Sequence, residues 1–411
     1  MKNRFFVVAL GVLVSWGCMP RTNKEVPTDN SVDIMNTVTI PAIDLNGELD
    51  RQVVVDREQG QYLGHVSTIL LEDGKTIYAS YPKGHGRGPV ILKRSDDGGL
   101  SWSERLPVPE SWATSKETPT LKRVVDADGN RRIIMWSGLY PVRISVSEDD
   151  GETWSELKPV GDWGGITVMG FTEALNTKGH YMAMFHDDGR FIKGGDQEFW
   201  GSPAGVKSDS MMLYSTFSYD GGLTWSDPRN VYEDSTVLLC EPGVIRSPDG
   251  KQIAVLLREN KRKKNSHIIF SDDEGKTWTK PRELPLSLTG DRHTARYTPD
   301  GRIFISFRII SPDNKTDNRP FETDWGGWVG TYDDLVHGRE GQYVVRLKEN
   351  HISKDGWEYD TAYPGVEVLP DGTIVATTYG HWDAGERPYI LCVRFKLEEI
   401  DLLNKKKTVN P

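Results

Sequence analysis

Short apolar runs of strand length recur along the chain, punctuated by glycine-centred turns. Turn signals stand at Asp73-Gly74, Asp128-Gly129, Lys178-Gly179, Asp249-Gly250, Asp300-Gly301 and Asp371-Gly372. Each follows an apolar stretch and precedes a strand-like run such as Thr76–Tyr81 (TIYASY), Arg302–Phe307 (RIFISF) or Thr373–Thr378 (TIVATT). Runs rich in β-branched and aromatic residues, bounded by residues that tolerate positive φ, predict antiparallel hairpins. Helix-period segments are nearly absent, so six hairpins predict six modules of an all-β chain.

A second pattern is laid over the first. The phrase S-x-D-x-G-x-[ST]-W occurs at Ser95–Trp102, Ser147–Trp154, Ser218–Trp225 and Ser271–Trp278, at intervals of 52, 71 and 53 residues. Ser and Asp side chains can bond local N–H groups, glycine supplies the left-handed residue, and the closing Thr or Ser and Trp re-enter a strand. A hairpin tip repeated at such spacing marks a modular array. The fifth hairpin continues into Trp328–Asp333 and the sixth into Tyr389–Phe395, both expected to be outer strands that have lost the phrase. The architecture these patterns predict is a six-bladed β-propeller closed as one domain over residues 41–400.

Composition agrees with that prediction: Gly (41), Trp (13) and Tyr (15) are plentiful. A formal net charge of −10 without a basic stripe disfavours a nucleic-acid partner. The one basic run, Lys261-Arg262-Lys263-Lys264, is expected to be a solvated loop in blade four. At the amino terminus Lys2 and Arg4 precede the apolar run Phe5–Trp16, too short to span a bilayer and of the length of a secretory leader. Ser15-Trp16-Gly17-Cys18 resembles a bacterial lipoprotein cleavage box. The expected organisation is therefore a signal peptide over 1–17, a lipid-bearing Cys18 with a tether to residue 40, the propeller, and a polar tail over 401–411. Export, with contact to a membrane only through that lipid, follows. Cys240 and Cys392 lie in apolar strand contexts and are expected to be buried thiols. No metal-ligand spacing stands out, and neither a cofactor nor an oligomer is expected.

Register locates the chemistry. Nine residues before the hairpin glycine stand His65, Glu241, Arg292 and Tyr363, polar residues in one equivalent place of four modules. An antiparallel hairpin returns to its starting end, so positions seven to nine beyond each glycine share that rim: Tyr81 and Lys83, His186 and Asp187, Arg258, Arg308, and Tyr379 with His381. In a radial array one rim near the axis becomes one pocket. Glu117 is three residues out of this register, and His186-Asp187-Asp188-Gly189-Arg190 reads as a turn whose carboxylates stand near the rim.

The four tryptophan-ended phrases resemble the Asp boxes of the sialidase (neuraminidase) superfamily. Leu239-Cys240-Glu241-Pro242 with Leu257-Arg258-Glu259-Asn260 is similar to the family's strand pair bearing a catalytic glutamate and a carboxylate-binding arginine. Ala362-Tyr363-Pro364-Gly365 is similar to its last-blade strand bearing a nucleophilic tyrosine. The resemblance implies a glycan substrate, Tyr363 as nucleophile, Glu241 as its base, and Arg258 with Arg292, Arg308 or Arg319 as ligands of a sugar carboxylate. The pairing has a chemical reason. A sialoside carries a carboxylate on its anomeric carbon, which repels a carboxylate nucleophile, whereas a phenol is neutral until a neighbouring Glu takes its proton. Arginines would hold the sugar carboxylate bidentately.

The chain also departs from the family. Where the first blade normally carries an arginine, the strand reads Tyr62-Leu63-Gly64-His65-Val66-Ser67, and the loop expected to carry an acid/base aspartate reads Lys83-Gly84-His85-Gly86-Arg87-Gly88. Arg87 is a candidate replacement for the guanidinium, and His85 or His65 for the proton donor. The leading expectation is an exo-acting retaining glycosidase that releases a terminal acidic sugar. The alternatives are a propeller glycosidase or lyase acting on uronate- or deoxysugar-containing glycans through a histidine, and a glycan-binding lipoprotein without turnover.

Overall fold

The computed structural model describes residues 36–312, 319–352, 356 and 360–409. The leader, Cys18 and most of the tether lie outside the described residues. From Ser67 onward the described strands form six antiparallel blades and one separate two-stranded hairpin, Gln197–Phe199 with Ser202–Ala204. Blade one holds Ser67–Leu70, Ile77–Pro82 and Val90–Ser95, and blade two Thr120–Val125, Arg131–Ser137, Arg143–Ser147 and Lys158–Pro159. Blade three holds Ile166–Ala174, Tyr181–Asp187, Met211–Ser218 and Arg229–Asp234, and blade four Leu239–Arg246, Ile253–Glu259, His267–Ser271 and Arg282–Glu283. Blade five runs Gly290–Tyr297, Ile303–Ile309, Trp325–Gly330 and Tyr343–Lys348, and blade six Gly365–Val368, Ile374–Gly380 and Tyr389–Phe395. The first strand of each blade lies against that of the next, and blade six returns to blade one, so the ring is closed.

The closure is made by the segment before blade one. Gln52–Asp56 pairs antiparallel with Tyr389–Phe395 as the outer strand of blade six, and Ala42–Asp44 runs parallel to Tyr343–Lys348 at the edge of blade five. Both pairings cover an edge that would otherwise expose unpaired backbone groups.

Period-two alternation explains why the middle strands read as continuous apolar runs. Each middle strand is covered on both faces, and successive residues go to opposite neighbours. In blade two, Ile133 and Met135 pack toward blade one while Ile134 and Trp136 pack toward blade three. In blade five, Ile303 and Ile305 face blade four while Phe304 faces blade six. The core is thus a ring of apolar wedges between blades.

The tryptophan-ended phrases fold alike. In blade one Ser95 Oγ accepts the Gly99 N–H at 2.8 Å, and Asp97 accepts the Ser101 N–H at 2.9 Å and its hydroxyl at 2.5 Å. Ser147/Asp149, Ser218/Asp220 and Ser271/Asp273 repeat the arrangement. The glycine that receives the serine bond has φ between +76° and +96° in all four copies, which a Cβ would strain. These turns lie at the end of each blade opposite the rim that carries the register residues.

Three elements differ from expectation. The run from Trp328 leaves the sheet at Gly330, because Thr331 and Asp334 form a capping box that starts a helix, Tyr332–His337. The expected polar tail is largely the second half of a helix, Leu397–Val409, which buries Leu397 and Ile400 on blades five and six and places Asp401 2.9 Å from Arg302. The basic run of blade four is not wholly solvated, since Arg262 turns inward to Asp291 at 2.7 Å. Cys240 and Cys392 are buried and free.

Candidate active site

The register residues owe their aim to a repeated backbone device. His65, Glu241 and Arg292 all have positive φ (54°, 51° and 58°), and in blade six Ala362, just before Tyr363, has 55°. In blade four the ladder pairs Cys240 with Arg258 and then Gly243 with Leu256, and in blade five Asp291 with Arg308 and then Thr294 with Ser306. Two residues on the first strand thus oppose one on the second, a bulge that re-aims the side chain. Left-handed backbone at a non-glycine residue costs about 1–3 kcal/mol and persists where surrounding structure enforces it.

Glu241 and Tyr363 converge on one cavity of about 280 Å³, and both line it. The Tyr363 hydroxyl donates to Glu241 Oε1, which also receives Arg258 Nη1 at 2.8 Å. Burial works against ionisation of Glu241, but the Arg258 charge and the tyrosine hydrogen bond more than offset it, and the carboxyl is held below its usual range. Burial and the Glu241 charge push the Tyr363 phenol well above its ordinary value. The pair is therefore a neutral phenol bonded to a carboxylate, an arrangement in which the carboxylate can take the phenol's proton. His186 Nδ1 accepts the Glu241 N–H at 3.3 Å, and burial holds that ring neutral by pushing it down to about 4.

The arginines divide. Asp291, buried, lies 3.0 Å from Arg258 Nε, 2.6 Å from Arg308 Nη2 and 2.7 Å from Arg262 Nη2. Burial opposes the Asp291 charge, yet these guanidinium groups hold the carboxyl far below its usual range. Arg258 and Arg308, expected to bind substrate, thus carry an internal carboxylate, and neither lines the cavity. Arg319 donates to the Thr289 carbonyl. Arg292 does not line the cavity either, but with Tyr363 it lines an adjoining recess of about 90 Å³; it lies 5.8 Å over the Tyr363 ring, and its Nη1 is buried without a hydrogen-bond partner. Arg87 is on the cavity wall with its guanidinium 4.9 Å over the ring of Trp200.

The two histidines offered as proton donors also separate. His65 is buried, its Nδ1 accepts the Gly86 N–H at 2.8 Å, and its ring packs 4.4 Å from that of Tyr363. Burial, aided by the neighbouring His85, depresses its pKa well below the ordinary value. It lines the cavity and packs against both Tyr363 and the Gly86 turn. His85 is 56% exposed at the cavity edge, with Nδ1 2.7 Å from the Tyr62 hydroxyl and 3.4 Å from Asp360. Tyr62 donates to Asp360 at 2.8 Å, and His381 Nε2 lies 3.0 Å from the other oxygen. Burial opposes ionisation of Asp360, but the bonds from His381 and His85 hold it charged.

Other rim positions take other roles. Tyr81 bonds Asp56 at 2.5 Å inside the wedge between blades six and one, and Lys83 pairs with Glu58, so neither joins the cavity. Asp187 turns away to accept the Gly189 and Phe191 N–H groups, whereas Asp188 lines the cavity paired with Arg190 at 2.8 Å. Glu117, set aside as out of register, also lines it and accepts the Thr118 N–H and hydroxyl. Asp291, Asp360, Tyr62 and Trp200 were not anticipated.

Comparison with known proteins follows the same lines. A family model described as a BNR repeat-like domain matches residues 136–319. A sialidase of Paraclostridium sordellii is 25% identical over 235 residues, covering 50% of this chain and 55% of the relative, so the chain spans about half the length of that relative. Among solved structures, a protein of unknown function from Dyadobacter fermentans superposes with a TM-score of 0.59 at 17% identity, over 84% of this chain and 97% of that one. The NanB sialidase of Streptococcus pneumoniae gives 0.56 at 11%, over 84% and 70%. The intramolecular trans-sialidase of Ruminococcus gnavus gives 0.53 at 13%, over 82% and 95%. The fold is that of the sialidase propellers. The BNR repeat-like match spans blades two to five, and over about half its length the chain is similar to a sialidase.

Proposed function

We propose that the chain is an exo-acting, retaining glycoside hydrolase of sialidase type that releases a terminal acidic sugar from glycans outside the cytoplasm. The observation that carries this reading is the hydrogen bond from the Tyr363 hydroxyl to Glu241 at the wall of a single cavity. In the first step Tyr363 Oη attacks the anomeric carbon as Glu241 takes its proton, and His85 protonates the departing oxygen. Arg258 keeps Glu241 ionised so that it can accept the proton. The glycosyl–tyrosine bond is then cleaved by water, which His85, now neutral, deprotonates while Glu241 returns its proton to the departing Tyr363 oxygen. Two displacements return the original configuration.

A tyrosine nucleophile makes sense for a sugar whose own anionic group lies next to the anomeric carbon. In this reading the sugar carboxylate is met by Arg292, whose Nη1 is unpartnered beside Tyr363, because Asp291 already neutralises Arg258 and Arg308. One available guanidinium fits sialic acid or a related acidic sugar.

The test is a panel of aryl glycosides of sialic acids, other nonulosonic acids and uronic acids, with product mass recorded. A gain of one water, retained configuration and a fluorinated-sugar adduct on the peptide containing Tyr363 are expected. An ultraviolet-absorbing unsaturated product would assign elimination instead, and saturable binding without turnover would assign a glycan-binding role.

A further inference from the structure

Beside the catalytic cavity lies a second recess that the reaction above does not use. It has a volume of about 600 Å³ and shares His85, Arg87, Lys116 and Trp200 with the first cavity. Its remaining wall is Lys83, Ser115 and two glycines, so no carboxylate lines it. Lys83 is neutralised by Glu58 at 2.9 Å. Arg87 and Lys116 form no ion pair among the described residues, and Glu198, the carboxylate whose charge acts on Lys116, does not line the recess. In a chain of net charge −10, a recess whose wall presents two cations outside any ion pair, and no carboxylate, is a local inversion of sign.

The third component is Trp200. It sits at the tip of a hairpin formed by Gln197–Phe199 and Ser202–Ala204, with φ of 54° and 49% of its surface exposed. The hairpin is anchored from below, since Phe199 packs 6.0 Å from Phe191 and lies under Arg190 at 4.2 Å. An exposed indole held by strained backbone above a guanidinium offers a face on which a sugar ring can stack while a charged substituent reaches the cation. His85 stands on the border between the two spaces, where the oxygen of the broken bond must lie if His85 protonates it.

Resting on the reading of the first cavity as the site of bond cleavage, we propose that this recess is the leaving-group subsite and that it takes an anionic sugar unit, carboxylated or sulfated, held by Arg87 and Lys116 and stacked on Trp200. The enzyme would then take its terminal sugar from glycans whose next unit is also acidic, reading negative charge on both sides of the bond.

Isothermal titration of the full chain with oligogalacturonate, a sulfated carrageenan tetrasaccharide and neutral maltotetraose tests the subsite by binding alone. At least one anionic oligosaccharide is expected to bind about ten-fold more tightly than the neutral one, with the preference weakening as salt rises. The double variant R87A/K116A, checked for an unchanged melting temperature, is expected to lose that preference, and W200A to weaken binding of the preferred oligosaccharide. Which anionic probe binds separates carboxylate from sulfate. Equal affinity for charged and neutral probes, or a preference that survives R87A/K116A, would overturn the proposal. Because no turnover is measured, either result stands apart from the outcome of the hydrolysis panel.

Discussion

Tyr363 and Arg258 address the same oxygen of Glu241, one as a neutral donor and the other as a cation at 2.8 Å. The arginine expected to hold substrate is instead what keeps the base charged. Replacing Tyr363 with Phe removes the nucleophile and leaves that ion pair in place. Activity on every substrate should fall by about 10³-fold or more, while stability changes by no more than about 1–3 kcal/mol, measured by steady-state kinetics and thermal unfolding. A variant that still turns over at a comparable rate would remove Tyr363 from the mechanism.

Asp291→Asn removes the carboxylate that Arg258, Arg262 and Arg308 share, while Arg258 keeps Glu241 as a counter-charge. Unpairing a buried charge typically costs about 3–5 kcal/mol, so a large drop in melting temperature is expected. A melting temperature equal to the parent's would mean the cluster is not held by this carboxylate.

His85→Ala tests the proton donor through its dependence on the leaving group. On an alkyl or sugar leaving group the loss should be about 10²–10⁴-fold. On an aryl glycoside whose phenol departs without protonation the loss should be slight. Asp360→Asn should act through His85 in the same direction but more weakly, and shift the pH–rate profile. Equal losses on both substrates would assign His85 to binding.

Acid should destabilise the protein in a defined window. Burial pushes His186 and His293 down to about 4 and His65 well below its ordinary value. The unfolded chain therefore takes up protons first, and stability falls as the pH drops from about 6.5 toward about 4. Asp187, pushed up to about 6 by burial and the neighbouring Asp188, has the opposite sign and offsets part of the loss. Below about 4 the depressed carboxyls of Glu241, Asp291 and Asp360 add to the decline. Urea unfolding at a series of pH values, repeated on His186→Gln, should show a shallower slope for the variant between about 6.5 and about 4.

The repeat made much of this architecture readable. A phrase that recurs gives blade number, turn chemistry and register together, and register alone brought His65, Glu241, Arg292 and Tyr363 to one place in four modules. What escaped depends on events that a repeat does not encode. Asp291 adjoins Arg292, and strict alternation sends neighbours to opposite faces; the bulge at Arg292 breaks that parity and lets both serve the axis. Asp360, Tyr62 and Trp200 stand outside the blade strands, on connections that differ in length from blade to blade and so have no equivalent to count from. Tyr81 stood in register but was claimed by Asp56, from a strand whose partner lies more than three hundred residues later.

That strand, Gln52–Asp56, also dictates when the molecule can be finished. It is made before any blade, yet its hydrogen-bonding partner, Tyr389–Phe395, is made after all the other strands of the ring. Until then both edges of the ring are open, and blade six, which supplies Tyr363, has no outer strand. Pairing over so great a separation is slow and leaves strand edges exposed while it waits. A nascent chain of this kind therefore keeps an open ring until both strands of the seam exist, and deleting Gln52–Asp56 would leave that seam unzipped on the blade that carries Tyr363.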